Sequence, residues 1–280
     1  MAELQRAQRR RRRNTRTIPI VVVVVLVALG LALATGLSGG GGKKKVSTST
    51  PTTPTAGLVA HSAPAVSASC DTPAGGAVGP GATPASGQAV SVVPAPAHVP
   101  FPKLDGSSPR YTKFSSAPPF CIDTTKTYTA TVKTDAGNFT IQLLTKDAPV
   151  TVNNFVFLAG YHFYDGIVFH RVIPGFMDQV GDPTATGSSG PGYQFADELP
   201  SSKDAYSTGA VAMANSGPNT NGSQFFIVVP GGGSGLSPSY SVFGQLTQGS
   251  NVVEQINSDG SQAGTPNKYH KILSITIAES

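Results

Sequence analysis

Two segments in the second half of the 280-residue chain combine polar and apolar side chains in a pattern that suits the binding of a ligand. Residues 169–179 bring Arg171 and Gln179 close to phenylalanine and methionine, and residues 213–227 add asparagine, glutamine and more phenylalanine. An arginine is always charged and presents a rigid fork of N–H donors. The chain has no G-x-x-x-x-G-K-[ST] motif and no H-E-x-x-H motif. The sequence therefore carries neither a phosphate-loop motif nor this zinc motif, and an arginine considered alone would most simply form a surface salt bridge.

These residues lie in the part of the chain that we predict to be one globular domain, residues 121–280. Its 160 residues are enough to bury a core. Alternating apolar and polar residues predict a hairpin at its start, and Pro149 opens a helical pattern that runs to Gly160. Many short strands separated by glycine and proline are typical of a barrel or a sandwich. The predicted strands cover residues 128–134, 138–145, 167–172, 177–180, 209–214, 224–229, 241–246 and 271–278, and a second, short helix covers residues 251–256.

The two segments resemble a known family when they are compared in full. Phe169–Gln179 has the sequence FHRVIPGFMDQ, Met213–Ile227 has MANSGPNTNGSQFFI, and Val242–Gly244 has VFG. In this order they resemble the signature of the cyclophilins, the cyclosporin-type peptidyl-prolyl cis-trans isomerases, from about residue 124 to the end. The resemblance implies a mainly β domain: a closed eight-stranded antiparallel β-barrel capped by two helices. It also implies isomerase activity on X-Pro bonds without a cofactor or a metal ion.

The resemblance implies a role for each matched site residue. Arg171 would be the catalytic donor to the prolyl region, and Gln179 would position the substrate and orient the arginine. Ala214 and Asn215 would hold an extended peptide through their backbone, much as a sheet captures an added strand. The other matched positions would line the substrate site, namely Phe176, Met177, Gln224, Phe226, Leu236 and Tyr240.

The chemistry of prolyl bonds explains why such residues would suffice. An X-Pro bond prefers the trans form only weakly, yet the two forms exchange slowly. The barrier arises because rotation must break the resonance of the amide. In the twisted state the prolyl nitrogen regains a lone pair. A donor that binds this state better than the planar state lowers the barrier, so no nucleophile is needed.

Three positions depart from the family pattern. Gly235 stands where many members have a tryptophan, which implies weaker cyclosporin binding. Tyr240 replaces a histidine of the site, an exchange that we expect to be tolerated because its ring and hydroxyl supply similar contacts. Val180 replaces a glycine that usually follows the glutamine, which could shift Gln179, and only Gly235 and Val180 argue against turnover. An alternative function is therefore a non-catalytic module or chaperone of the cell envelope that binds proline segments with little turnover.

The amino terminus is typical of a single-pass membrane protein. Residues 1–17 carry seven arginines, and residues 18–38 form an apolar stretch long enough to cross a bilayer as one helix. The positive charge before this stretch predicts a cytoplasmic amino terminus and an extracytoplasmic isomerase domain at the cell membrane. A cleaved signal peptide is the alternative, because Ala32-Leu33-Ala34 fits a small-x-small cleavage site. The expected partners are Pro-containing polypeptides, unfolded or newly exported, whose folding the domain would assist.

Residues 39–120 form a predicted linker that is rich in Pro, Gly, Ser, Thr and Ala and disordered in its larger first part. Its last part, residues 101–120, contains aromatic side chains that could pack on the domain. Cys70 and Cys121 could form a disulfide outside the cytoplasm, and two free thiols are the alternative. From residue 46 onward the chain has 10 basic and 14 acidic residues, so no nucleic-acid partner is expected. We expect a monomer.

Overall fold

The computed structural model of the chain describes residues 56–67, 70, 88–97 and 99–280. The predicted basic tail and the predicted membrane helix lie outside the described residues, as does part of the predicted linker. In the described ranges no helix is both long and apolar enough to span a bilayer. The disorder of the linker and the domain boundaries therefore stay predictions.

Within the described residues, eight strands and two α-helices make up the domain. The strands are β1 (Tyr128–Thr134), β2 (Gly137–Leu143), β3 (Arg171–Ile173), β4 (Met177–Val180), β5 (Ala210–Met213), β6 (Phe225–Val228), β7 (Val242–Gln248) and β8 (Ile272–Glu279), and the helices are α1 (Pro149–Gly160) and α2 (Ser250–Ser258). Every strand pair is antiparallel, and the order in the sheet is β3-β4-β6-β5-β7-β2-β1-β8. The predicted mainly β fold with eight antiparallel strands and two helices is confirmed.

The sheet ends at two edge strands, β3 and β8, and no continuous ladder among the described residues closes it into the barrel that the resemblance implies. One isolated antiparallel bridge, between Val168 and Lys271, joins the segments that precede these strands. Beside it, Phe169 N donates to His270 O at 2.9 Å. The strand predicted over residues 167–172 is therefore divided, because its first half forms this bridge and only its second half belongs to β3.

Helix α1 is buried on nearly all sides, and a residue from a distant loop holds its first turn. Glu198 accepts hydrogen bonds from Val150 N at 3.0 Å and from Thr151 N at 2.8 Å. These bonds satisfy two donors that the start of a helix leaves unpaired, and a negative charge there suits the helix dipole. Further along, Asn154 Nδ2 donates to Gly222 O at 2.9 Å. Helix α1 thereby fixes the loop that leads into β6.

Alternation along the strands separates two apolar clusters on opposite faces of the sheet. In β6, Phe225 and Ile227 lie in the large inner cluster, whereas Phe226 lies in a smaller one. Strand β4 is divided in the same way, with Val180 in the inner cluster and Met177 in the smaller one. We call the smaller one the outer cluster. Its buried members are Met177, Ala205, Tyr206, Ala210, Ala212, Phe226, Val228 and Val242, and Leu58, Leu144, Ile173, Phe176, Ala214, Leu236 and Tyr240 pack against it.

The chain before β1 folds back onto the domain. Phe114 is 2% exposed, and its ring centroid lies 5.0 Å from that of Phe157 and 5.7 Å from that of Tyr161, at the end of α1. Cys70 and Cys121 are joined by a disulfide across a sequence separation of 51. The aromatic part of the predicted linker is therefore packed on the domain, and the disulfide ties an earlier residue to the same region.

Candidate active site

Three neighbouring segments bring the arginine and the two glutamines together. Pairing of β3 with β4 sets Arg171 opposite Gln179. Arg171 Nη1 donates to Gln179 Oε1 at 3.3 Å, and Gln179 Nε2 donates to Gln224 Oε1 at 2.9 Å. Gln224 Nε2 in turn donates to Ser189 O at 2.8 Å. We call this chain of hydrogen bonds the relay; it orients both amides, because each one donates through its nitrogen and accepts through its oxygen.

Arg171 keeps most of its donors available for a ligand. Its stem lies against Gly264, and among the described residues Gln179 is the one hydrogen-bond partner of its guanidinium. Partial burial lowers the pKa of Arg171 from its ordinary value, and the nearby Tyr240 phenol opposes this shift. The guanidinium stays charged at neutral pH, because the ordinary pKa of arginine is so high. Its remaining N–H groups can therefore meet a substrate.

The outer cluster supplies an apolar wall beside the relay. Phe226 lies opposite Gln179 in the pairing of β4 with β6 and is 5% exposed. Met177 is buried as well, while Leu236 and Tyr240 are half-buried around them. The Tyr240 ring meets Phe226 edge-on, with centroids 5.5 Å apart and planes at 89°, a stabilising arrangement for two aromatic rings. A wall of aromatic and aliphatic side chains suits a small apolar ring such as that of proline.

Tyr240 is held in place by Tyr206, a residue that the sequence analysis missed. Tyr206 Oη donates to Tyr240 O at 2.9 Å and accepts from Tyr240 N at 3.0 Å. Burial raises the pKa of Tyr206 to about 12, so its hydroxyl keeps its proton at neutral pH. No local pattern marks Tyr206, because its partner lies 34 positions away in the sequence.

Ala214 and Asn215 follow β5 and lie beside the relay. Ala214 N donates to Gln224 O at 2.9 Å, which ties this segment to the middle of the relay. The Asn215 side chain holds its own loop, since Nδ2 donates to Ser239 O at 2.9 Å and Oδ1 accepts from Gly217 N at 3.3 Å. Among the described residues the backbone N–H and C=O of Asn215 have no hydrogen-bond partner. They can therefore bond an extended peptide.

The ten predicted site residues thus lie together, in the relay, in or against the outer cluster, or on the adjoining edge. The substitution at Val180 leaves this arrangement intact, because Val180 is buried in the inner cluster and Gln179 keeps both relay bonds. Glycine is required one position later, where Gly181 has φ +100° and a Cβ would collide with Ser223 O. In the described part of the chain, no three His, Cys, Asp or Glu side chains could together hold a metal ion.

A cavity of about 560 Å³ opens beside the relay, and the sequence analysis did not predict it. Gln179 lies on one side of it and residues 187–192 on another. Asp182 shapes this loop, since its carboxylate accepts from Thr184 N at 2.7 Å and from Ser189 N at 3.2 Å. Burial alone would raise the pKa of Asp182, but these hydrogen bonds lower it overall and keep the carboxylate charged. The run of Thr and Ser after an aspartate was the signal available in the sequence.

Comparison with known proteins identifies the family to which a domain with this site belongs. The family model for cyclophilin type peptidyl-prolyl cis-trans isomerase/CLD matches residues 129–277, more than half of the chain. The chain belongs to the cyclophilin family. The predicted isomerase activity on prolyl bonds is thereby confirmed, and proteins named for that activity are among the relatives of this cyclophilin domain.

Relatives of this cyclophilin domain occur in several organisms. The domain is 44% identical over 170 residues to peptidyl-prolyl cis-trans isomerase A of Mycobacterium tuberculosis. This match covers 54% of this chain and 93% of the relative. It is 42% identical over 136 residues to the peptidyl-prolyl cis-trans isomerase of Helicobacter pylori, covering 47% and 81%. A crystal structure of a Cryptosporidium parvum cyclophilin type isomerase matches with a TM-score of 0.51 and 31% identity, covering 55% of this chain and 99% of that one. A second structure of that protein was obtained in the presence of the dipeptide Ala-Pro.

One buried acid lies between two site residues of the cyclophilin domain. Asp178 stands between Met177 and Gln179 in β4, but its side chain meets α2 on the other face of the strand. Asp178 Oδ1 accepts from Asn257 Nδ2 at 2.6 Å, and Oδ2 has no partner among the described residues. Burial raises the pKa of Asp178 to about 7, and the Asn257 hydrogen bond opposes the rise. The charge of Asp178 therefore changes near neutral pH.

We expect Asp178→Asn to remove a pH dependence of stability. The folded chain binds the Asp178 proton more tightly than the unfolded chain, in which the pKa is near 3.8. The free energy of unfolding should therefore fall as the pH rises from about 4 to 7 and then level off. Between pH 5 and pH 8, Asp178→Asn should gain about 1–3 kcal/mol relative to the parent. Urea unfolding at both pH values measures this gain, and a constant difference between the two proteins would contradict the assignment.

Proposed function

We propose that Arg171 and Gln179 are the catalytic residues of this isomerase and that the outer cluster holds the proline of the substrate. The observation that carries the proposal is the relay, which fixes the guanidinium before a substrate arrives. The strand pairing sets Gln179 directly opposite Phe226, so the donor and the apolar wall are neighbours. Phe176, Met177, Leu236 and Tyr240 complete the proposed substrate pocket, with Gln224, Ala214 and Asn215 at its side.

In this proposal the proline ring lies on Phe226 and Met177, and the flanking peptide bonds the backbone of Asn215. As the prolyl bond twists, the nitrogen loses its resonance and becomes a hydrogen-bond acceptor. An N–H of Arg171 donates to that nitrogen, an interaction that the planar bond cannot make. Because the donor binds the twisted state better than either planar state, the barrier falls in both directions.

The Arg171→Ala variant should lower kcat/KM for a short X-Pro peptide about 10²- to 10³-fold, which is the usual effect of removing one preorganised donor. Arg171→Lys should recover only part of this loss, because an ammonium group lacks the planar fork that also bonds Gln179. The cis-to-trans rate of the peptide, measured with the full chain and both variants, tests the donor role.

The matched control is Lys133→Ala, which removes an exposed positive charge from β1. In the strand order, β1 lies near the opposite end of the sheet from β3 and β4. This variant should turn the peptide over at the parent rate. Circular dichroism verifies that all the variants fold. A folded Arg171→Ala variant with the parent rate would show that the donor lies elsewhere.

We also infer that the domain acts outside the cytoplasm, as a monomer tethered to the cell membrane, and assists the folding of newly exported polypeptides. The apolar stretch at residues 18–38 and the seven arginines before it support this location. The Cys70–Cys121 disulfide supports it independently, because disulfides persist mainly in oxidising compartments.

Thiol labelling of intact cells that express the full chain tests the location. Cys70 and Cys121 should resist alkylation until a reductant is added, and Cys70→Ser should leave Cys121 reactive without reductant. Two cysteines that react without reductant once the cells are lysed would indicate a reducing compartment and would contradict the extracytoplasmic proposal.

A further inference from the structure

Lys113 reaches the cavity beside the relay from a part of the chain that the family match does not include. The match begins at residue 129, and Lys113 belongs to the segment that packs on the domain before β1. The backbone is fixed on two sides. Ala95 N donates to Lys113 O at 2.7 Å, and the next residue, Phe114, donates its N–H to Pro191 O at 2.7 Å. Lys113 is thereby attached to the loop that forms one wall of the cavity.

The Lys113 side chain runs along Gly192. Its Cε and Cδ atoms lie 3.2 Å and 3.3 Å from the position that a Cβ would take at Gly192, and such a Cβ would also collide with Phe114 O. Gly192 has φ +111°, a conformation that favours glycine. Any side chain at this position would displace the lysine and the segment that carries it. The glycine therefore makes room for Lys113 at the cavity.

Among the described residues that line this cavity, Lys113 is the one with a charged side chain, and most of the others are Gly, Ser, Thr, Asn or Gln. Within the described residues Lys113 forms no ion pair. Arg171 bonds Gln179, which lines the cavity, and so brings a second positive charge nearby. The Asp182 carboxylate behind the loop is occupied by the N–H groups of that loop. A half-buried cation without a counter-charge attracts an anion.

We propose that Lys113 selects substrates that carry an acidic side chain, Asp or Glu, close to the X-Pro bond. This inference rests on the proposed function, because the cavity shares Gln179, Ala214 and Asn215 with the proposed substrate site. A peptide that bonds Asn215 with its proline on Phe226 passes the mouth of the cavity and directs a neighbouring side chain into it. A carboxylate there meets the Lys113 ammonium, whereas a lysine is repelled.

The test compares kcat/KM of the full chain for peptides that differ at one position, which is Glu, Gln or Lys. That position is varied over the two residues on each side of the X-Pro bond. At one of these positions Glu should exceed Lys by about three- to fivefold at low salt, the size expected for a partly exposed charge pair. The preference should shrink at high salt, because ions screen such pairs.

Substitutions at Lys113 test whether this residue causes the preference for Glu over Lys peptides. Lys113→Gln should abolish the ratio of Glu to Lys peptides, and Lys113→Glu should reverse it. Lys133→Glu makes the same charge change at an exposed position on β1 and should keep the parent ratio. A reversal of charge preference is a readout that a general loss of folding cannot produce.

The outcomes separate this inference from the proposed function. A ratio near one at every position in the parent, or an unchanged ratio in Lys113→Gln and Lys113→Glu, would overturn the role of Lys113 and leave the isomerase site standing. Absence of turnover with every peptide would overturn the proposed site instead. The affinities of the same peptides, measured by fluorescence anisotropy, would then decide about Lys113 through the same ratios.

Discussion

The relay from Arg171 through Gln179 and Gln224 to Ser189 is the interaction on which the rest of the site depends. It joins β3, β4, the residue before β6 and a surface loop, so it exists only when these segments pair in the observed register. A slip of one residue would turn the relay glutamine and its neighbouring methionine to the inner face. The inner cluster prevents such a slip, because a slip would also move Val180 and Phe225 out of that cluster to the outer face. Burial on one face therefore fixes the chemistry on the other.

The relay also depends on polar groups that lie behind it. The Asp182 carboxylate accepts hydrogen bonds from N–H groups of the loop that contains Ser189, whose carbonyl ends the relay. Asn154 of α1 donates to the loop that leads to Gln224. These side chains are buried, so each would be costly to leave unpaired, and their hydrogen bonds hold the two loops against the domain. In the proposed mechanism, a guanidinium that Gln179 already orients needs little rearrangement when a prolyl bond twists beside it, and this preorganisation would lower the barrier.

Much of the fold could be predicted from the sequence because the information is local. Alternation marks β1 and β8, Pro149 marks the start of α1, and the two long family segments place the site residues on adjacent strands. Other features depend on contacts between residues that are distant in the sequence. Glu198 at the start of α1 and Tyr206 behind Tyr240 carry no local pattern.

The disulfide, the meeting of the sheet edges and the segment before β1 also depend on contacts between residues that are distant in the sequence. Two cysteines allow a single pairing, but the sequence alone does not say whether the bond forms. The edges of the sheet meet through an isolated bridge between Val168 and Lys271, and the two predicted strands that contain these residues do not show that they would pair. Lys113 lies in a segment predicted to be a linker, and the packing of Phe114 on α1 together with backbone hydrogen bonds brings it to the cavity. The charge that would shape substrate preference thus comes from outside the family match.

A crystal structure of the chain with a bound X-Pro peptide tests the central claim most directly. The account predicts the proline ring on Phe226 and Met177, the peptide backbone bonded to Asn215, and an N–H of Arg171 within hydrogen-bonding distance of the prolyl group, with the relay intact. A peptide bound on another face of the domain, or an Arg171 side chain that leaves Gln179 and turns away from the proline, would contradict it.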